Sequence, residues 1–494
     1  MRVQGRHQAE AWGEGVGESM RRRIVLFLAS LFAILAPAGG ARATEDQTAV
    51  DARQARFFPR PAELEPQIRF WRAIFTQYSR HQVVLHDALH LDKVYKILDF
   101  RSRLDDGFSD SELASLERLE TDVELDRVRA ILLRLHALGP HPESLTGEER
   151  AVYELWADDP APDRFLAAAD DKRLHGQRGL RERFAEGIRA SRGYFPEMER
   201  IFREEGLPVE LVRLPLIESC FDLRAYSKAG AAGVWQFMPK TGRLFMRVDN
   251  LVDERRDPIS STRAAARFLA HVHDMLDTWP LTITAYNHGP EGMARAVAEL
   301  GTTDIATIVR DYRGKAFGFA SRNFYVEFLA ALDVERDFRT YFGDLGGESS
   351  PRVRERRLER PLGIEAAARL ARTSRGELAS LNPALSTLVV SGRRPIPAGY
   401  RLRLPEAACA GFDNRLASFS AEQRVTSSVS PRPVRAASSV KDVRPAVLTY
   451  RVRRAATAGH AAKKQKASPP SRRPRKKTAR PPRQNLRIRT QSAA

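Results

Sequence analysis

The sequence predicts a mainly α protein with several parts, and three observations support this fold class. Long stretches are rich in Leu, Arg, Glu and Ala with apolar residues at helical spacing, whereas period-two strand patterns are few. Prolines divide these stretches into short helices. One region alone, residues 353–406, has strand patterns near both ends with two short helical patterns between them, which predicts a small βααβ unit.

The positive charge of the chain is concentrated at its C-terminal end. The 494 residues carry a formal net charge of +19, but residues 421–494 hold 20 Lys/Arg against 2 Asp/Glu, so the preceding 420 residues are nearly neutral. Residues 411–494 consist mostly of Arg, Lys, Pro, Ser and Ala, which predicts a disordered basic tail. Two cysteines in separate regions exclude a disulfide framework.

The N-terminus has the three parts of a secretory signal peptide. Met20-Arg-Arg-Arg23 precedes an apolar run, 24–36, and small residues follow as far as Ala43. We therefore expect residues 1–43 to be a cleaved export signal, with Met20 as the true start; an uncleaved anchor is the alternative. Outside the cytoplasm no nucleic-acid partner is expected, and the basic tail would instead contact anionic polymers or membrane surfaces.

Residues 44–195 are predicted to form an N-terminal helical region. Within it, His86-Asp-Ala-Leu-His90 would place two imidazoles on one helix face, as a zinc site does. A zinc protease would have Glu where this chain has Asp87, and zinc also needs a third ligand. We therefore predict ordinary surface or capping chemistry here and no metal site.

Glu218 gives the strongest chemical signal in the sequence. It lies within Leu207–Phe221, close to Leu214, Leu216 and Ile217. An apolar setting raises the pKa of a carboxyl group, which suits a general acid near neutral pH. A structural ion pair is the alternative for Glu218 taken alone, and an interior kink is expected at Pro215.

Two further motifs follow Glu218-Ser219 in the same block: Gly233-Val-Trp-Gln-Phe-Met238 and Ala285-Tyr-Asn287. In this order and spacing the three resemble the catalytic domain of soluble lytic transglycosylases. Leu214-Pro-Leu-Ile-Glu-Ser-Cys-Phe-Asp222 is also similar to the membrane-bound type D group, which likewise has Leu-Pro before the acid. The resemblance implies a helical catalytic domain like goose-type lysozyme over residues 196–345, acting in the periplasm.

The resemblance also implies a reaction with one acid and no cofactor or metal. Glu218 would protonate the glycosidic oxygen between N-acetylmuramic acid and N-acetylglucosamine in peptidoglycan. It would then act as base on the muramic C6 hydroxyl, which attacks C1 and leaves a 1,6-anhydro end. The acetamido group of the substrate would stabilise the cation, so the second carboxylate that most glycosidases use is not required.

By the same resemblance, six residues would bind the substrate: Ser219, Gln236, Met238, Tyr286, Asn287 and Tyr325. Ser219 would position the acetamido group, and Gln236 and Met238 would line the sugar cleft. Tyr286 and Asn287 would orient Glu218 and the acetamido group, while Tyr325 matches the tyrosine of the last family motif. Trp235 is expected to pack in the core, and Asp222 to form a salt bridge or loop cap.

The βααβ unit at 353–406 resembles a LysM module, which binds N-acetylglucosamine chains. Leu378-Ala-Ser-Leu-Asn-Pro383 and the segment 396–405 fit this pattern, but the opening Gly-Asp-Thr is absent, so a structural spacer is the alternative. Residues 449–490 of the tail have LysM-like ends, which suggests a decayed second module.

The leading functional hypothesis is an exported lytic transglycosylase, located in the periplasm or peripheral to membrane or cell wall, that acts on peptidoglycan glycan strands in wall turnover. A lysozyme-like hydrolase on the same fold is the closest rival. An inactive peptidoglycan-binding scaffold is the alternative outside the enzymes.

Overall fold

The computed structural model describes residues 54–139, 144–346 and 352–419. The predicted export signal and most of the predicted tail, including 449–490, lie outside these residues. Within them the protein is mainly helical, as predicted. In the described ranges, no helix combines the length and apolar character needed to span a bilayer.

The first part of the chain contains a three-stranded sheet as well as helices. In order, its elements are α1 (Glu65–Thr76), β1 (Gln82–Asp87), β2 (Val94–Asp99), α2 (Arg101–Asp105), α3 (Asp110–Leu138), α4 (Gly147–Leu155), α5 (Arg164–Ala168), β3 (Leu174–Arg178) and α6 (Arg181–Ser191). β1 is central and pairs antiparallel with both β2 and β3. The predicted N-terminal helical region therefore also contains a sheet that was not predicted, because a short apolar run such as Val83–Leu85 fits a buried strand as well as a helix.

The histidines of the His86–His90 motif do not share a helix face. His86 is fully buried in β1, whereas His90 lies beyond the end of that strand. The carboxylate of Asp87 accepts the backbone N–H of His90 at 2.8 Å and pairs with Arg173 Nε at 2.7 Å, which is a structural role. In the described ranges no group of three or more His, Cys, Asp or Glu could hold a metal ion.

The central part of the chain is a helical assembly around one apolar helix. Its elements are α7 (Phe195–Glu204), a 3-10 helix (Val209–Arg213), α8 (Leu214–Ser219), α9 (Pro239–Phe245), a second 3-10 helix (Glu254–Arg256), α10 (Pro258–Leu276), α11 (Trp279–His288), α12 (Pro290–Leu300), α13 (Ile305–Asp311), α14 (Phe319–Arg336) and α15 (Phe338–Phe342). Every residue of α11 from Trp279 to Ala285 is buried. A helix that is apolar on all sides must be surrounded, and α10, α12 and α14 enclose this one.

The first and central parts share one hydrophobic core. α1 packs along α14, where Trp71 Nε1 donates a hydrogen bond to Asn323 Oδ1 at 3.3 Å. Arg60, which precedes α1 in the chain, forms an ion pair at 2.8 Å with Asp333 of α14. Because α14 also contributes to the site described below, the N-terminal elements support that site from behind.

The last described part has the two predicted strands with short helices between them, but there are three helices and not the predicted two. Its elements are β4 (Val353–Arg357), α16 (Ile364–Leu370), α17 (Arg375–Leu381), α18 (Thr387–Val390), β5 (Arg401–Pro405), α19 (Glu406–Cys409) and α20 (Phe412–Ser418). β4 and β5 pair antiparallel, and Leu402 and Leu404 point into the core. The prediction of disorder from residue 411 is wrong as far as residue 418. α20 is helical, and Phe412 is fully buried in the core of this part. We call residues 353–418 the module.

Candidate active site

Glu218 lies near the C-terminal end of α8, a helix of six residues. Pro215 is in the first turn of that helix, where a missing N–H is tolerated, so the proline begins a helix and does not kink one as expected. Cys220 and Phe221 then adopt left-handed backbone conformations, with φ of 50° and 52°. Two consecutive non-glycine residues in this region are strained, and such strain is concentrated at functional sites.

Among the described residues, no cation pairs with the carboxyl group of Glu218. Leu214, Leu216 and Phe221 nearby in the chain are buried, while Glu218 itself stays partly accessible. Burial raises the pKa of Glu218 to about 8, and among the described residues no cation offsets this effect. At neutral pH the group is therefore mostly protonated, which is the state of a general acid.

Tyr286 on α11 joins three pieces of the site. Its hydroxyl donates to the carbonyl oxygen of Trp235 at 2.7 Å, and its ring stacks on Phe324 of α14 with centroids 6.4 Å apart. Burial, and to a smaller extent the charge of Glu218, raise the pKa of the Tyr286 hydroxyl well above its usual value. Tyr286 is therefore a neutral hydrogen-bonding group close to Glu218.

The turn Gly233–Met238 provides accessible polar and apolar groups. Gly233 has φ of 74°, and a Cβ there would lie 1.8 Å from the carbonyl oxygen of Arg255, so only glycine fits. Gln236 is also left-handed, and its Nε2 donates to the Gly233 carbonyl at 2.7 Å. Gln236 remains partly accessible and Met238 is 43% exposed, which leaves both available to a ligand.

Asn287 lies at the C-terminal end of α11, beside a cavity of about 440 Å³. Its Oδ1 accepts a hydrogen bond from Ser321 Oγ of α14 at 2.8 Å. His288 and Phe319 line the same cavity. Because the carbonyl side of the amide is held by Ser321, the Asn287 side chain is fixed at the cavity wall.

Residues 198–309 match the family model described as Transglycosylase SLT domain. This segment includes Glu218, the Gly233–Met238 turn and Tyr286. We therefore call residues 195–342, which include this match and the helices around it, the SLT domain. The match ends before α14, which nevertheless packs on α8 and α11 and completes the SLT domain in the structure.

Two curated relatives are similar to parts of the chain. Membrane-bound lytic murein transglycosylase D of Escherichia coli is 30% identical over 216 residues, which cover 42% of this chain and 47% of that protein. A putative tributyltin chloride resistance protein of an Alteromonas species is 38% identical over 99 residues, covering 20% of this chain and 48% of the relative. The chain thus spans about half the length of the curated relatives it matches.

Two solved structures also align with part of the chain. The 70 kDa soluble lytic transglycosylase of Escherichia coli is 19% identical with a TM-score of 0.25, covering 32% of this chain and 26% of its own. An inactive mutant of lytic transglycosylase Slt from Pseudomonas aeruginosa is 18% identical with a TM-score of 0.26, covering 44% of this chain and 37% of its own.

We call the accessible part of the site, with Glu218, Gln236, Met238 and Asn287, the cleft. Two predicted substrate-binding residues do not belong to it. Ser219 is buried, and its hydroxyl donates to the carbonyl oxygens of Pro215 at 3.2 Å and Val234 at 3.0 Å. Tyr325 is fully buried, and its hydroxyl donates to Pro59 O at 2.7 Å. Both predictions are corrected on this point, because these hydroxyls bind backbone groups and tie pieces of the chain together.

Two other residues behave as predicted. Trp235 is fully buried, donates from Nε1 to Thr262 Oγ1 at 2.9 Å and lies parallel to Phe202 at a centroid distance of 5.8 Å. Asp222 is an exposed loop cap whose Oδ1 accepts the backbone N–H of Arg224 at 2.8 Å. Neither is placed to do chemistry on a sugar.

Sequence reasoning missed the face of α14 that contributes to the site. Ser321, Phe324 and Glu327 recur at intervals of three residues, and the first two contact Asn287 and Tyr286. Glu327 is partly buried, and burial together with the charge of Glu218 raises its pKa to about 8. The spacing of these three residues indicates a common helix face, but only the packing of α14 on α8 and α11 shows that this face belongs to the site.

Proposed function

We propose that the chain is a peptidoglycan lytic transglycosylase. It cleaves the β-1,4 bond between N-acetylmuramic acid and N-acetylglucosamine without water and leaves 1,6-anhydro ends. The observation that most supports this proposal is Glu218, a partly accessible carboxyl group within an SLT domain, with a pKa of about 8 and no cation beside it in the part of the chain that the structure describes. Such a group carries a proton at neutral pH and can transfer it to a glycosidic oxygen.

In this mechanism Glu218 acts twice. It first gives its proton to the glycosidic oxygen, and the bond from that oxygen to C1 of the muramic acid breaks. The carboxylate left behind is poorly solvated, so it is a stronger base than an exposed glutamate. It then takes the proton of the C6 hydroxyl while the C6 oxygen bonds to C1, which restores the acid and consumes no water.

The neighbouring groups would hold the sugars during both steps. Gln236 and Met238 are accessible on the Gly233–Met238 turn, and Asn287 is fixed beside the cavity at the end of α11. Tyr286, neutral and close to Glu218, would orient the acid. Ser219 and Tyr325 would act only through the backbone they brace.

The rival hydrolase has one observation in its favour, the second carboxyl group of Glu327. A hydrolase of this kind needs an ionised carboxylate to activate water or form a covalent intermediate. Burial and the charge of Glu218 raise the pKa of Glu327 to about 8, so it is mostly protonated at neutral pH. This state favours the transglycosylase mechanism over the hydrolase.

The proposal extends to location and binding. An export signal in residues 1–43 would deliver the enzyme to the periplasm, where peptidoglycan is the substrate. The module would bind N-acetylglucosamine chains or serve as a spacer, and the basic tail would contact anionic wall polymers or membrane surfaces through its charge.

The test is a digest of purified peptidoglycan with the full chain and with Glu218→Gln, followed by mass spectrometry of the muropeptides. The parent should give anhydro ends, which are lighter by one water than hydrolase products. Glu218→Gln should lose roughly 10²–10⁴-fold in rate, the usual contribution of a general acid. Reducing ends would support the hydrolase, unchanged digestion by Glu218→Gln would refute the role of Glu218, and an inactive parent would favour the scaffold.

A further inference from the structure

The module packs against residues 249–257 of the SLT domain, and we call this contact the seam. After α9, a turn at residues 249–253 inserts Val252 into the core of the module, where it is fully buried. Val252 forms an antiparallel bridge with Leu385, and the backbone N–H of Asp253 donates to Ala384 O at 2.8 Å. A side chain of one part thus completes the core of the other.

A buried ion pair lies on the same seam. Arg403 of β5 binds both carboxylate oxygens of Asp257, with Nη2 to Oδ1 at 2.8 Å, and the two side chains are 12% and 5% exposed. The Asp257 carboxylate also accepts the backbone N–H of Ser260 at 2.7 Å and so caps α10. A buried pair is stable only when its geometry is well satisfied, so this contact sets one orientation of the module.

Arg255 connects the seam to the cleft. Its side chain is almost fully buried, and its Nη2 pairs with Asp253 Oδ2 at 2.8 Å. Its Nη1 donates to the carbonyl oxygens of Gly230 at 2.8 Å and Phe237 at 2.9 Å. These two carbonyls lie on either side of Gln236 in the loop 226–238, so a single guanidinium holds that loop to the turn that enters the module.

We propose that Arg403 is a positioning residue and that the docked module holds the loop 226–238, and with it Gln236, in place for catalysis. The connection runs from Arg403 to Asp257, which ends the 3-10 helix Glu254–Arg256, and from Arg255 on that helix to the loop. This inference rests on the proposed transglycosylase function and goes beyond it, because it gives the module a role that requires no contact with glycan.

The test compares full-length Arg403→Met with the matched control Arg401→Met. Arg401 lies two residues away on β5, but its side chain is 71% exposed and its contact with Glu355 is 3.8 Å long. The substrate is short soluble glycan strands prepared from peptidoglycan. We expect kcat to fall about tenfold in Arg403→Met and to stay unchanged in Arg401→Met, since small misplacements of binding groups lower rates steeply.

Hydrogen–deuterium exchange on the same proteins gives a readout independent of activity. The amides of Ala232 and Gln236 are hydrogen-bonded within the loop, to Phe237 O and Gly233 O. Both should exchange faster in Arg403→Met than in the parent or in Arg401→Met. If the parent proves inactive on glycan, the transglycosylase proposal fails, whereas this exchange result still decides whether the module holds the loop.

Unchanged loop exchange in Arg403→Met would overturn the inference. So would a loss confined to intact sacculi with normal cleavage of short strands, because that result indicates a glycan tether. If Arg403→Met does not fold, Val252→Ala replaces it, since this change only shortens the side chain inserted into the module. It should produce the same loop exchange with a smaller fall in kcat.

Discussion

The cleft and the seam both remove carboxylates from water, but they treat the charge in opposite ways. At the seam, Asp257 is paired with Arg403 and also caps α10, so its desolvation is offset by hydrogen bonds. In the cleft, Glu218 and Glu327 are desolvated together and no cation among the described residues pairs with either of them, so both carboxyl groups hold their protons to a pKa of about 8. A paired buried charge serves structure, whereas an unpaired buried acid is retained for chemistry.

The largest expected effect on stability comes from breaking the ion pair at the seam. Arg403→Met leaves the Asp257 carboxylate buried without its partner, which should lower the free energy of unfolding by about 3–5 kcal/mol. Arg401→Met, at an exposed position on the same strand, should change it by less than about 0.5 kcal/mol. Urea denaturation of both variants measures the difference, and equal losses would show that the buried pair has no special role.

Removing the unpaired acid Glu218 should raise the free energy of unfolding, whereas breaking the ion pair lowers it. The pKa of Glu218 is raised from 4.5 to about 8, so the folded state binds more protons than the unfolded state between these values. The free energy of unfolding therefore decreases as pH rises through this range. Glu218→Gln should be nearly neutral near pH 5 and stabilising by about 1–3 kcal/mol near pH 9. A destabilised variant at high pH would contradict the uncompensated burial of Glu218.

The loop between the two regions gives a third test. Gly233→Ala would place a Cβ 1.8 Å from Arg255 O at a φ of 74°, and should cost at least about 1–3 kcal/mol of stability. Gly230→Ala is the control, because its Cβ would meet nothing closer than 3.9 Å although its φ is also positive. Thermal unfolding should rank Gly233→Ala well below Gly230→Ala.

The smallest effect is expected for the second acid of the cleft. Glu327→Gln keeps the shape and neutrality of the protonated group, so kcat/KM at neutral pH should fall by less than about tenfold, against roughly 10²–10⁴-fold for Glu218→Gln. Steady-state rates on the same glycan strands compare the two. Equal losses would mean that the reaction uses two carboxyl groups, as a hydrolase does.

Residues near one another in the chain account for most of what the sequence predicted correctly. The apolar neighbours of Glu218 lie within four residues of it, and the buried packing of Trp235 follows from its own turn. In the module, β5 and the helices α16 and α17 were likewise readable from alternation and helical spacing, whereas the third helix, α18, was not predicted. In each case the physical signal is local periodicity or side-chain type.

The predictions that were wrong depended on distant partners. The region around Val83–Leu85 was predicted to be helical, but pairing with β3, more than eighty residues away in the chain, makes this segment a strand. Tyr325 was expected in the cleft, but α14 is rotated so that Phe324 faces Tyr286 while Tyr325 binds Pro59 O. Adjacent helical residues point about 100° apart, so one position decides between cleft and core.

The sequence alone determined that Glu218 is an acid in apolar surroundings within a segment that resembles the transglycosylase SLT domain, because both properties reside in short motifs. Only the tertiary structure brought Glu327 beside it and joined Arg403 to Asp257 across the seam. The physical reason is that desolvation and charge pairing depend on groups that packing brings together, and those groups lie 109 and 146 residues apart in the chain.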